Sequence, residues 1–248
     1  MDKSSYELVW ADDFDYEGTP RADKWSFEVG NHQWPNRELQ AYTDKIENAY
    51  VRDGKLTICS LHQKDGEREY TSAKINTSKS ASWQYGYFEI KAKFPCIPGS
   101  WPAIWMMPID QSDRWPSCGE IDLVEHIGRR PDMALFSLHS KRHNHARHDT
   151  IPYTTSVNFE KHFFDDFHIF SMEWTKDYFE YFIDGTSYCR YNRSDDKENQ
   201  GYEAWPFDKP YYLILNTAVG GGLGGAVRPE DLPYKFEIEY VHVYQKRA

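Results

Sequence analysis

Between Phe236 and Tyr244 the chain alternates without a break: Phe236, Ile238, Tyr240, His242 and Tyr244 interleave with Glu237, Glu239, Val241 and Val243. A helix, with 3.6 residues per turn, cannot use a two-residue period, whereas a strand sends successive side chains to opposite faces. Asp-Gly stands between strand-like runs in Val51-Arg52-Asp53-Gly54-Lys55-Leu56 and in Phe182-Ile183-Asp184-Gly185-Thr186, which predicts two tight hairpins. Further strands are expected over residues 85–94, 121–127, 167–174 and 211–219, and one short helix over 159–165. Many short strands with no long helical segment between them exclude parallel βαβ units and predict an all-β chain folded as an antiparallel β-sandwich. With 248 residues, no internal repeat and no low-complexity linker, residues 1–248 read as a single domain.

Lys and Arg number 29 against 39 Asp and Glu, a formal charge of −10, which argues against nucleic acid or an anionic membrane as partner. Aromatics make up 17% of the chain, with 9 Trp and 18 Tyr, more than a core requires. Such amphipathic rings favour surfaces that are half wet and half buried, as sugar-binding clefts are. No run of 18 apolar residues occurs, and residues 1–5 lack the apolar stretch of a signal peptide. Location stays open: outside the cell or on its surface if a leader has been removed, cytoplasmic otherwise. Cys59, Cys96, Cys118 and Cys189 lie far apart with no Cys-x-x-Cys pair, so free thiols are expected rather than a zinc ribbon or a disulfide scaffold.

The sharpest feature is Gly119-Glu120-Ile121-Asp122-Leu123-Val124-Glu125-His126-Ile127-Gly128, three carboxylates within six residues of an apolar run. In a regular strand Glu125 would point away from Glu120 and Asp122; one β-bulge at Leu123-Val124 returns it to their face. Like charges so close cannot all ionise, so one carboxyl should keep its proton near neutrality while another stays anionic. Retaining glycosidases need that division between acid/base and nucleophile. The same row also reads as a solvated strand face, or as a divalent-cation site of three carboxylates. Trp101, Trp105 and Trp115 lie within about twenty residues upstream and look like stacking platforms for pyranose rings, which favours the glycosidase reading.

At this point the chain resembles the glycoside hydrolase family 16 β-glucanases, most of all their laminarinase-like branch. The resemblance runs from Glu7-Leu8-Val9-Trp10 to Tyr240-Val241-His242-Val243-Tyr244. It rests on Asn36-Arg37-Glu38-Leu39-Gln40, Thr71-Ser72-Ala73-Lys74-Ile75, Trp101-Pro102-Ala103-Ile104-Trp105, the acidic strand, the run from Phe167-His168 to Trp174, and Leu215-Asn216-Thr217-Ala218-Val219-Gly220-Gly221. It implies a concanavalin A-like jelly roll with a concave cleft, and endo-hydrolysis of β-1,3-glucan and of mixed-linkage β-1,3-1,4-glucan with retention of configuration. The nucleophile would be Glu120, the acid/base Glu125, and Asp122 a helper beside the nucleophile. Trp101, Trp105, Trp115, Asn36, Lys74, His139 and Asn216 would contact substrate, although a lone His on an apolar strand is as readily a satisfied core residue.

The reading needs no cofactor. Family members often carry one structural calcium, for which the matching positions are Asp13, the carbonyl of Gly54 and Glu239. The partner is β-glucan, with no nucleic acid and no membrane, and the chain is expected to be a monomer. A galactan substrate such as agar or carrageenan, or a non-catalytic glucan-binding module, are the alternatives; the three retained carboxylates speak against the module. Two departures stand out. Lys74 replaces the usual Arg, exchanging a bidentate fork for a point charge, and Leu223 stands where a Trp is usual. The run from Gly220 to Gly225 formally matches Gly-x-Gly-x-x-Gly, but Pro229 and the lack of a helical period after it exclude a dinucleotide site. The histidine-rich stretch from His139 to His148, and the polar run from Asp195 to Gln200, read as solvated surface loops rather than zinc ligands.

Overall fold

A computed structural model describes residues 4–32, 34–145, 152–198 and 201–247. Two antiparallel sheets carry nearly all of the chain. In the eight-stranded sheet the order is Thr186–Asn192, Tyr178–Ile183, His168–Trp174, Gly86–Lys93, Tyr234–Lys246, Lys55–Ser60 and Ala49–Arg52, with Tyr6–Asp12 also paired to the long strand Tyr234–Lys246. The seven-stranded sheet runs Tyr153–Asn158, Met133–His139, Glu120–His126, Ser100–Pro108, Tyr211–Val219, Lys74–Asn76 and Ser26–Phe27. A small parallel pair, Gln40–Tyr42 with Tyr70–Ser72, completes the sheets.

Both Asp-Gly hairpins form as expected. Asp53 and Gly54 take φ of 54° and 69°, and Asp184 and Gly185 take 50° and 77°, the left-handed pair that a two-residue turn needs between right-twisted strands. The strand expected over residues 211–219 is found with those bounds, and the others agree to within a residue at each end. The expected helix over 159–165 is absent. Only a 3-10 turn, Phe163–Asp165, forms there, because His162 sits at φ 70° and breaks any helical path into it. Phe163 instead stacks on His168 at 3.9 Å, and Phe164 is buried.

One hydrophobic cluster fills the space between the sheets, from Trp25 and Ile58 through Phe88, Met106 and Val124 to Trp174, Leu215 and Val243. The alternation read from the C-terminal strand has this cause: Phe236 and Ile238 face the cluster, and after a register shift between Ile238 and Tyr240 it is Val241 and Val243 that do so. Among the described residues all four cysteines are free, three of them buried. No helix of the described residues is long and apolar enough to cross a membrane.

Candidate active site

A one-residue irregularity in Glu120–His126 sets the site. Against Met133–His139 the pairing runs Glu120 with His139 and Asp122 with Ser137, then resumes at Glu125 with Leu135. Against Ser100–Pro108 it passes from Asp122 with Trp105 to Val124 with Ile104. This is the bulge expected at Leu123-Val124. Both bulge side chains are fully buried in the core, which leaves Glu120, Asp122 and Glu125 on the opposite, cleft-facing side.

The three acids differ in surroundings. Glu120 accepts a hydrogen bond from Trp115 Nε1, and Glu125 Oε1 accepts one from Trp101 Nε1 at 2.9 Å. Asp122 is 2% exposed, and its Oδ2 lies 3.1 Å from His139 Nε2. Burial pushes Glu125 up to about 7, with the Asp122 charge adding to it, while His139 and the Trp101 N–H act the other way. Asp122 is raised as well, first by burial and then by the Glu120 charge, against the pull of His139. Burial alone would lower His139, but Asp122, Glu120 and Glu125 outweigh it and hold the imidazole up at about 9. The cluster therefore combines a proton-holding carboxyl, a cationic imidazole and an indole-bound carboxylate in one cleft. His139 faces the acids from the neighbouring strand.

Glu120, Asp122 and His139 also bring ligand atoms within 4.8 Å of one another, so the cation alternative would use two carboxylates and an imidazole rather than three carboxylates. A metal needs deprotonated ligands, and the raised Asp122 makes that set a poor one.

Asn36, Trp101, Trp105 and Asn216 line the cleft with the acids. Trp101, Ala103 and Trp105 alternate along one strand and so share a face. Cross-strand pairing sets Glu125, Ala103, Asn216 and Lys74 in a single row over four strands. Asn216 accepts from Trp105 Nε1 at 2.7 Å and donates to Tyr42 Oη at 2.9 Å, so one amide fixes the indole. Asn36 stands at φ 67°, and at Gly221 an added Cβ would lie 3.0 Å from the Asn36 carbonyl, so the glycine lets the two loops close on the cleft.

Lys74 ends this row, beside the cleft-lining residues. Its ammonium lies 2.9 Å from Glu28, 4.9 Å from the Trp105 ring centre and 5.2 Å from that of Trp34. It stands against the Trp105 ring that lines the cleft. Trp115, 44% exposed, covers Glu120 from the rim, 6.0 Å from the His139 ring.

Glu38 escaped the sequence reading although it lies inside the quoted run from Asn36 to Gln40. It lines the cleft, accepts from Gln40 Nε2 at 2.8 Å, and is raised by burial. A charged residue beside Asn36 was the available signal. Trp34 was likewise unmarked.

The Gly-rich run holds a single helical turn, Gly221–Gly224, where no helix was expected, and Arg129 Nε donates to the Leu223 carbonyl at 2.7 Å. The histidine stretch is not all solvated. His143 is buried, stacks on Tyr153 at 3.8 Å and meets Asp196 at 3.2 Å, which Arg142 also binds at 2.7 Å. The solvated reading therefore fails for His143 and Asp196, which pack against each other between Tyr153 and Arg142. His148, Asn199 and Gln200 lie outside the described residues. At the expected calcium positions each carboxylate already has a partner, Asp13 with His242 at 2.6 Å and Glu239 with Lys91 at 2.6 Å.

The family described as Glycosyl hydrolases family 16 matches residues 28–241. A "Beta-glucanase" of Rhodothermus marinus is 44% identical over 97% of this chain and 85% of its own length. The solved laminarinase from Rhodothermus marinus superposes with a TM-score of 0.91 at 42% identity, covering 98% of each chain. SCLam, described as a non-specific endo-beta-1,3(4)-glucanase from family GH16, superposes with a TM-score of 0.88 at 40% identity over 98% of this chain and 92% of its own.

Proposed function

The chain belongs to glycoside hydrolase family 16, and from that membership and the cleft we propose that it is a retaining endo-hydrolase of β-1,3-glucan that also cleaves mixed-linkage β-1,3-1,4-glucan. The observation that carries the residue roles is the bulge, which places an indole-bound Glu120 and a proton-holding Glu125 on one aromatic-lined face.

Glu120 attacks the anomeric carbon while protonated Glu125 gives its proton to the departing glycosidic oxygen. The resulting glycosyl ester is then opened by a water whose proton passes to the now ionised Glu125. Asp122, held against His139, keeps its own proton beside Glu120 and so lets the nucleophile stay anionic until it attacks. Trp101 and Trp105 offer ring faces to pyranoses, and Asn36, Glu38 and Asn216 meet hydroxyls. Both steps use only a nucleophile, an acid/base and water, so no redox or organic cofactor enters, and residues 1–248 act as one catalytic unit in a monomer. A sulfated galactan would want a cationic cleft, whereas this one is lined by Glu38, Glu120, Asp122 and Glu125 against the single imidazole of His139. A binding module would have no need of the acid/base pair.

Chromatography of products from laminarin, barley mixed-linkage glucan, cellulose and agarose tests the reading. Short oligosaccharides are expected from the first two and none from the others. Glucose released alone from chain ends, or products from agarose only, would overturn it.

A further inference from the structure

A second cavity, of about 440 Å³, opens at one end of the eight-stranded sheet, where Gly86–Lys93 begins and His168–Trp174 and Tyr234–Lys246 end. That volume lies within the roughly 300–1,000 Å³ of small-molecule sites. Trp174 is its fully buried floor, and Tyr85, partly exposed and edge-on to Trp174 at 5.5 Å and 79°, is its aromatic wall. The polar rim is left with uncommitted groups. Gln245 spends its amide N–H on the carbonyls of Gln84 and Tyr85, which frees the amide oxygen as an acceptor. Among the described residues Lys176 and the Asp177 carboxylate have no ion-pair or side-chain hydrogen-bond partner, and Lys246 holds its ammonium 5.9 Å from the Tyr6 ring centre.

We propose that this cavity is an auxiliary saccharide site that holds a segment of neutral glucan away from the catalytic cleft. Each sugar hydroxyl both donates and accepts, so a rim that offers ammonium donors beside amide and carboxylate acceptors, around an aromatic wall, suits it. An anion would meet Asp177 and a cation would meet Lys176 and Lys246. The cleft belongs to the other sheet, so one short oligosaccharide cannot occupy both; a polymer, or a particle of many chains, can. Tethering at a second point raises the effective concentration of substrate at the first without any new contact in the cleft. That the ligand is the enzyme's own glucan rests on the function proposed above; that it is a neutral polyol rests on the cavity.

The test is an amide and indole NMR titration of the Glu120→Gln protein with a laminari-oligosaccharide, the Trp174 indole signal being assigned with Trp174→Phe. Two groups of shifts are expected, one at Trp101 and Trp105, one at Trp174. The paired variant Lys176→Ala and Asp177→Ala, which alters only rim side chains, should abolish the second and keep the first. In the active enzyme that pair should leave kcat/KM on a soluble oligosaccharide within about twofold and lower the rate on insoluble β-1,3-glucan by about threefold or more. A silent Trp174 at saturation, shifts there that survive the paired variant, or the same shifts produced by inorganic phosphate would overturn the proposal. Shifts at Trp174 without any at the cleft tryptophans would instead sink the assignment of the cleft and leave the auxiliary site standing.

Discussion

Replacing Trp101 by Phe keeps a flat ring in the cleft and removes one N–H, the donor to Glu125 Oε1 at 2.9 Å. That bond favours the ionised carboxylate and so works against the burial that raises Glu125 to about 7. A hydrogen bond to a charged group contributes about 1.5–3 kcal/mol and one to a neutral group about 0.5–1.5, a difference on the order of 1–1.5 kcal/mol in favour of the anion. At 1.36 kcal/mol per pKa unit, losing it raises Glu125 by about one unit, to roughly 8. Because Glu125 must be protonated to assist departure of the leaving sugar, the alkaline limb of kcat/KM should move upward by the same amount. The assay is kcat/KM against pH on a soluble oligosaccharide, read at the limb rather than at the plateau, so that any loss of sugar stacking scales the curve without displacing the limb. A limb that stays in place or moves to lower pH would refute both the role of Glu125 and the sign assigned to the indole.

Removal of each glutamate should give different chemistry with azide on an activated aryl β-glucoside of suitable length. Glu125→Ala should yield the β-glycosyl azide and Glu120→Ala the α product, read by NMR, and the opposite pairing would exchange the two roles. His126 is fully buried, and its Nε2–H donates to the Pro131 carbonyl; burial lowers it to about 4. The unfolded chain therefore binds a proton that the folded one refuses, so stability falls as pH drops from about 6.5 towards 4, by about 2 kcal/mol at about pH 5. His126→Gln should flatten the fall in melting temperature over that window, and an equally steep fall in the variant would show that other groups cause it.

What could be read from the sequence was local. Asp53-Gly54 and Asp184-Gly185 declare their turns because only left-handed backbone closes them, and Glu120, Asp122 and Glu125 declare a bulge because no regular strand puts them together. The order of strands was not legible, since Ser100–Pro108 meets Tyr211–Val219 across more than a hundred residues. The surroundings of Lys74 were hidden for the same reason: its neighbours Glu28, Trp34 and Trp105 come from three distant segments that only the fold brings together. Glu38 was passed over because a single acid in a short polar run looks solvated until the Gly220 strand end closes over it.

The bulge links inheritance of the fold to inheritance of the chemistry. Leu123 and Val124 both point into the core, so deleting either would rotate the rest of the strand by one face, driving the Glu125 carboxylate inward and the His126 ring out of its stack on Phe94. A buried, unpaired carboxylate costs several kcal/mol, a large share of what a domain of this kind has to spare. A lineage or library screened for folding alone, with no glucan present, would therefore keep the frame that aims Glu125, even while the identity of the residue at that position drifts.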